Sequence, residues 1–171
     1  MTTLIQATIE DAVMLKQVAA QSLIESHGHS APAKDIDAYV AAKFSLAALE
    51  EELKDTKNIF HIIFHNQVPA GYSKIIFNVT YHQLTPVNTT KMERLYLLKD
   101  FYDLKLGVAL FDHAIAVSKK AGQTGVWLQV WTANDRAINF YKKNGFKIIA
   151  EDGFKVSETH TNPNHIMYLE Y

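Results

Sequence analysis

The sequence predicts an α/β fold, a mixed and twisted sheet of about seven strands with helices on both faces. Three observations carry that prediction. Gly125 to Trp131 reads Gly-Val-Trp-Leu-Gln-Val-Trp, nearly all apolar, as a strand covered on both faces requires. From Leu106 onward, Leu106, Leu110, Ala114, Val117 and Ala121 recur at spacings of three and four, one face of a helix. That helix separates the apolar run from an earlier strand at about Lys91 to Leu98. Strand, helix and strand make a right-handed crossover, so the two strands should be parallel.

The remaining elements follow in chain order. Thr3 to Thr8 alternates weakly and reads as a first strand. Thr8-Ile-Glu-Asp11 is a helix start with acids in its first turn, and Val13, Leu15, Val18, Ala19 and Leu23 supply its buried face. His27-Gly-His-Ser-Ala-Pro32 breaks that helix. Asp35 to Lys54 is helical again, with Ser45 as a dividing point. Asn58 to Phe64 and Tyr72 to Val79 form an antiparallel hairpin across the turn residues Asn66 to Gly71. Gln83 to Thr90, which holds Pro86 and Asn88, is a loop. Gly122 closes the long helix, and a further helix from Asn134 to Asn144 stops at Gly145. Phe146 to Ala150 and Ile166 to Tyr171 are the last strands, joined by a polar loop from Asp152 to Asn164. No repeat or linker divides the chain, so residues 1–171 read as one domain.

Composition narrows the function. A net charge of −1, from 17 basic and 18 acidic side chains, gives no basic excess for a nucleic-acid surface. No apolar run reaches the length of a membrane span, and the N-terminus lacks the pattern of a signal peptide. The absence of cysteine excludes disulfides, thiolate metal sites and a covalent cysteine intermediate, and suits a reducing, cytoplasmic setting. His61, His65, His113 and His165 show no metal spacing, and His27-Gly-His29 reads as a flexible loop, so no metal is expected. Phosphate-loop, dinucleotide and serine-hydrolase motifs are also missing.

The positions that carry chemistry lie between Glu93 and Gly145. The backbone N–H groups from about Tyr102 to Val108 open the long helix and favour an anion through their partial positive charge. Gly107 lets a phosphate approach the backbone, whereas the Lys105 side chain either crowds it or pairs with it. Asn134 is a natural helix N-cap. Tyr141 shares a helix stripe with Ala137 and Phe140, and a buried Tyr hydroxyl needs a partner. Glu93 stands in an otherwise apolar strand.

Residues 90–171 resemble the C-terminal core of the GCN5-related N-acetyltransferase (GNAT) family. The segment Asn134-Asp-Arg-Ala-Ile-Asn-Phe-Tyr141-Lys-Lys-Asn-Gly145-Phe146 closely follows the family's Asn-x-x-Ala-x-x-Phe/Leu-Tyr-x-x-x-Gly-Phe. The family's phosphate loop, Gln/Arg-x-x-Gly-x-Gly/Ala, falls on Tyr102-Asp-Leu-Lys105-Leu-Gly107, where only the last glycine matches. The end of the chain, Phe154 to Met167, is similar to the PaiA-like, polyamine-acetylating branch.

The resemblance implies the GNAT (acyl-CoA N-acyltransferase) fold and acetyl-CoA as co-substrate. It implies that backbone at Leu95, Leu97 and Leu98 pairs with the pantetheine arm where the parallel strands splay. It assigns the pyrophosphate to the amides of Tyr102, Asp103, Leu104, Lys105, Leu106, Gly107 and Val108, and pantetheine also to Asn134. Tyr141 becomes the acid for the leaving thiolate, Glu93 the base, and an N–H near Leu97 the donor to the thioester oxygen. The acceptor is expected to be a small primary amine, with a polyamine suiting the tail and the acids of residues 35–52 as contacts. Two other readings stay open: a non-catalytic acyl-CoA-binding module, motivated by Tyr102 and Lys105, and a peptide or protein N-acetyltransferase. Edge pairing through the C-terminal strands would allow a homodimer.

Overall fold

The computed structural model describes residues 1–85 and 88–171, so Pro86 of the predicted loop lies outside the described residues. The elements are β1 (Thr2–Gln6), α1 (Ala12–His27), α2 (Ala33–Lys43), α3 (Leu46–Lys54), β2 (Asn58–His65), β3 (Val68–Ile76) and β4 (Thr90–Leu97), followed by α4 (Leu106–Lys120), β5 (Gly125–Trp131), α5 (Asp135–Lys143), β6 (Lys147–Lys155) and β7 (Thr161–Glu170). The strands form one seven-stranded sheet in the order β1-β2-β3-β4-β5-β7-β6. Only β4 and β5 are parallel neighbours, as the crossover predicts; the other pairs are antiparallel. None of the described helices is long and apolar enough to cross a membrane.

Strand alternation places helices on both faces. Ile62 is buried with Leu15, Phe44 and Leu49 of the α1–α3 layer, whereas its neighbour Ile63 is buried with Leu106 and Leu110 of α4. A further cluster joins α4 and α5 to the parallel strands through Phe111, Ala114, Val126, Leu128 and Ile138. Ser45 divides the second helical stretch as expected, and its side chain caps α3 by accepting from the Ala48 N–H at 3.2 Å.

Two predicted boundaries are corrected. The β2–β3 turn is only Asn66-Gln67, both at positive φ of 49° and 68°, the geometry of a tight primed hairpin turn. Pro69 belongs to β3, next to a bulge: Ile63 faces Gly71 and Phe64 faces Pro69, which leaves Ala70 as the extra residue. The polar loop of residues 152–164 is mostly strand: β6 reaches Lys155, and β7 begins at Thr161. β6 is the sheet's edge and largely exposed, so no apolar alternation marks it.

Candidate active site

The site begins where β4 and β5 part. They pair only at Thr90 with Val126 and at Lys91 with Trp127. Beyond that point β4 keeps its partner on the other side, β3, and the Leu98 N–H donates to the Ala70 carbonyl at 2.9 Å. Successive residues of a strand point their N–H groups to opposite edges. Leu95 and Leu97 therefore turn theirs into the gap, and Leu98 leaves the expected donor set.

Two cavities meet at this gap. One, of about 320 Å³, is lined by Leu95, Leu97, Tyr102, Gly107 and Arg136 among others. The second, of about 420 Å³, extends under α1–α3 towards β6 and β7. Leu95, Tyr96, Asn134, Ala137 and Tyr141 line both.

The smaller cavity reaches the start of α4. The Ala109 N–H donates to the Lys105 carbonyl at 3.2 Å, leaving the first-turn amides of Leu106, Gly107 and Val108 without helical partners. Such a cluster of N–H groups suits phosphate. Lys105 stands at the helix N-cap in the left-handed region, with φ 59° and ψ 13°. The family's middle glycine is thus a position of backbone geometry, which Lys105 adopts against the steric preference of an L-residue. Of the seven loop residues expected to bind cofactor, only Tyr102 and Gly107 line the cavity. The side chains of Leu104 and Val108 are largely exposed, and that of Leu106 is core.

The Tyr102 ring carries a cation in place of the family's own Arg. The Arg136 guanidinium of α5 lies 3.5 Å from its centroid. Arg136 was missed because it occupies an unconstrained position of the Asn134–Phe146 pattern. Asn134 takes the predicted N-cap position and also lines both cavities. Its Oδ1 caps α5 by accepting from the Ala137 N–H at 3.2 Å.

The motif around Tyr141 has a mechanical explanation. Gly145 at φ 89° ends α5, while the Phe146 N–H donates to the Tyr141 carbonyl and the Gly145 N–H to that of Lys142, each at 3.1 Å. This double closure normally comes with an apolar contact across the turn, here the Tyr141 and Phe146 rings at 5.3 Å. Gly-Phe therefore fixes the tyrosine's position. Tyr141 is 8% exposed, and burial, helped by Tyr96, raises its hydroxyl well above the ordinary value. It stays protonated at neutral pH.

The larger cavity carries a charge network that the sequence did not announce. Arg94 grips Glu52 of α3 with two hydrogen bonds of 2.8 and 2.9 Å. Lys74 bridges Glu52 at 3.2 Å and Glu93 at 2.5 Å, and Lys91 reaches Glu93 at 3.4 Å. Burial raises the Glu93 carboxyl, but the Lys74 hydrogen bond and charge, with Lys91 and Arg94, outweigh it and hold Glu93 below the usual value. Of the acids of residues 35–52, only Glu52 lines the cavity.

His27, expected in a loop, is the last residue of α1 and lines the same cavity. Burial, with His29 beside it, lowers its pKa to about 4. Asn162 donates to the Ser30 hydroxyl at 2.9 Å, tying β7 to the segment after α1 across the cavity's rim. Among the described residues no group of three or more His, Asp or Glu side chains is arranged to hold a metal.

Comparison with known proteins agrees with this geometry. The acetyltransferase (GNAT) family profile matches residues 20–146, most of the chain. An uncharacterized N-acetyltransferase of Mycobacterium tuberculosis is 28% identical over 160 residues, 94% of this chain and 97% of the relative. A spermidine N(1)-acetyltransferase of Thermoplasma acidophilum is 27% identical over 147 residues, 85% of this chain and 88% of the relative. Among solved structures, the PaiA N-acetyltransferase of Thermoplasma acidophilum in complex with coenzyme A superposes with a TM-score of 0.82 at 23% identity, covering 100% of this chain and 99% of that one. The chain belongs to the GNAT family, and it is an N-acetyltransferase using acetyl-CoA.

Proposed function

We propose that residues 1–171 form one catalytic unit that acetylates a small primary amine by direct attack on the acetyl-CoA thioester. The observation that carries this reading is Tyr141 at the junction of two cavities, held there by the Gly145-Phe146 cap. The cofactor arm fits the smaller cavity, where the first-turn amides of α4 suit its phosphates and Arg136 adds charge. The amine enters through the larger one.

In this reading the amine nitrogen bonds to the thioester carbon as the carbon–sulfur bond breaks. The Leu97 N–H donates to the thioester oxygen, and the Tyr141 hydroxyl gives its proton to the departing sulfur. No cysteine is available to carry the acetyl group in between. Glu93 accepts the amine proton through water, but its pairing with Lys74 and Lys91 makes it a weak acceptor. The rate should therefore rise with pH as the free amine itself deprotonates, its pKa being about 10.4 for an alkylamine.

The name of the Thermoplasma relative and the similar tail support a polyamine acceptor. The cavity does not favour that choice, because Glu52 and Glu93 are both already paired with cations. The cavity's size and its tied rim suit a small molecule better than an extended peptide.

Free-thiol release from acetyl-CoA with a panel of amines tests the reading. Tyr141→Phe should lower kcat by about a hundredfold or more, in the range of a lost general acid, with little change in coenzyme A affinity. Undiminished turnover would reject Tyr141 as the acid. Cofactor binding without turnover of any amine would favour a non-catalytic module.

A further inference from the structure

We propose that the acceptor is an amine whose own chain carries an anionic group, a carboxylate or a phosphate, about four carbons from the nitrogen. This rests on the acetyl-transfer reading and names the substrate class of the same site.

Charge is the first argument. Five cationic side chains line the larger cavity, Lys43, Lys74, Lys91, Arg94 and Lys155, against two carboxylates, Glu52 and Glu93. Lys155 pairs with Glu158 outside the lining and is set aside. Glu52 is taken by Arg94 and Lys74, and Glu93 by Lys74 and Lys91. Neither carboxylate is open to a new cation without displacing an internal one. The cations are less fully matched. Lys43, in the last turn of α2, is exposed and has no ion pair among the described residues, and the 3.4 Å contact of Lys91 with Glu93 is the longest of the network. Lys74, Lys91 and Arg94 outnumber Glu52 and Glu93 by three to two, and buried charge is costly unless paired, so the group that balances this part of the cavity is an anion.

The part of the cavity around Tyr96 suits an amine. The rings of His27 and Tyr96 lie 5.7 Å apart, and those of His27 and Trp131 6.0 Å apart. His27 is uncharged at neutral pH and does not repel an ammonium there. Asn164 stands opposite Trp131 in the β5–β7 register, is 6% exposed, and has a buried Oδ1 without a hydrogen-bond partner among the described residues. Ring faces and an unpartnered amide oxygen receive an ammonium. Tyr96 adjoins Tyr141 in both cavities, so this part is also where acetyl transfer occurs.

The spacing of the anion-binding and amine-binding groups follows from the strand. Arg94 and Tyr96 are two residues apart on β4, roughly 6.5 Å along it. A chain of about four carbons spans that length. A diamine of the same length would bring a second ammonium against Lys74, Lys91 and Arg94.

The test compares three amines that differ only at the far end: 4-aminobutyrate, n-butylamine and 1,4-diaminobutane. Dissociation constants from calorimetry on the full chain saturated with coenzyme A give the first reading, and kcat/KM from thiol release the second. 4-Aminobutyrate should bind at least tenfold tighter than 1,4-diaminobutane, with n-butylamine between. 3-Aminopropylphosphonate in parallel separates the carboxylate source from the phosphate one. Lys43→Gln with Lys91→Gln should abolish the preference for the anionic amine while leaving coenzyme A affinity unchanged. Equal affinities, a preference for the diamine, or no measurable binding of either anionic amine would overturn the proposal. Turnover of 1,4-diaminobutane in preference to the anionic amines would leave acetyl transfer standing and reject the charge argument alone. Tighter binding of an anionic amine without turnover of any would do the reverse.

Discussion

The two sides of the β4–β5 gap are built on different principles. The cofactor side is local: a helix start, a capped helix end and a strand edge, all between Leu95 and Phe146. In the proposed reading backbone groups do most of its work, so its side chains can vary, and Lys105 and Tyr102 stand where the family has other residues. The acceptor side is assembled from distant segments. Glu52 reaches Arg94 across 42 residues of sequence, and Asn162 reaches Ser30 across 132. There the side chains carry the work, and each depends on a partner from another element. Substitutions should therefore be absorbed on the first side and propagate on the second.

The largest effect should come from breaking the acceptor network. Arg94 is 9% exposed and bonds Glu52 through both guanidinium nitrogens. Arg94→Met removes both guanidinium hydrogen bonds of Glu52 and leaves it only Lys74 at 3.2 Å, and should cost about 2–3 kcal/mol in chemical denaturation. Adding Glu52→Leu removes the under-paired charge and should recover part of the loss, which identifies charge imbalance as the cause. A double change as costly as the single one would place the loss in packing, for which Arg94 also lies 4.9 Å over the Phe44 ring.

Protons probe the acceptor cavity and the α4 face of the sheet together. His27 faces the acceptor cavity, whereas His61 of β2 lies against His113 of α4 at 4.4 Å. Burial lowers both to about 4, with His29 adding to the effect at His27 and His113 at His61. Each is held neutral in the fold but takes a proton in the unfolded chain below about pH 6.5. The unfolded state therefore binds more protons in that window, and stability should fall as pH drops from about 6.5 to 4, by about 2 kcal/mol in all after allowance for partial exposure. Thermal unfolding across that range measures it. His27→Phe and His61→Phe should each flatten the curve, and an unchanged slope in either variant would assign the loss to other groups.

The same division explains what could be read from the sequence. The fold, the crossover and Tyr141 were legible because each depends on local pattern: periodicity in α4, apolarity in β5, and the Gly145-Phe146 cap that pins the tyrosine. β6 was not, because an exposed edge strand shows no apolar alternation, and the start of β7 was not, because its buried positions are the polar Asn162 and Asn164. The roles of Lys74, Arg94 and Glu52 were not either. Each reads as an ordinary charged residue until the fold stacks α3 on the strands. Glu93 was singled out as a lone acid in an apolar strand, yet its basicity is set by Lys74, a neighbour only in space.

The smallest effects belong to the proposed cofactor side, and they distinguish what Arg136 and Lys105 do. Arg136→Ala should raise KM for acetyl-CoA several-fold and leave kcat nearly unchanged, since a phosphate contact binds substrate and transition state alike. Lys105→Gly separates geometry from charge. Glycine removes the left-handed penalty of about 1 kcal/mol but adds a similar entropy cost in the unfolded chain, so stability should move by less than about 0.5 kcal/mol. If the ammonium pairs with a cofactor phosphate, KM should rise with Lys105→Gly and the rise should shrink at high salt. If the residue only starts α4, KM should stay level at every ionic strength. The lining of the smaller cavity favours the second outcome, because Arg136 on Tyr102 lines it and Lys105 does not. A salt-sensitive loss of affinity in Lys105→Gly would show that side-chain charge matters on both sides of the gap.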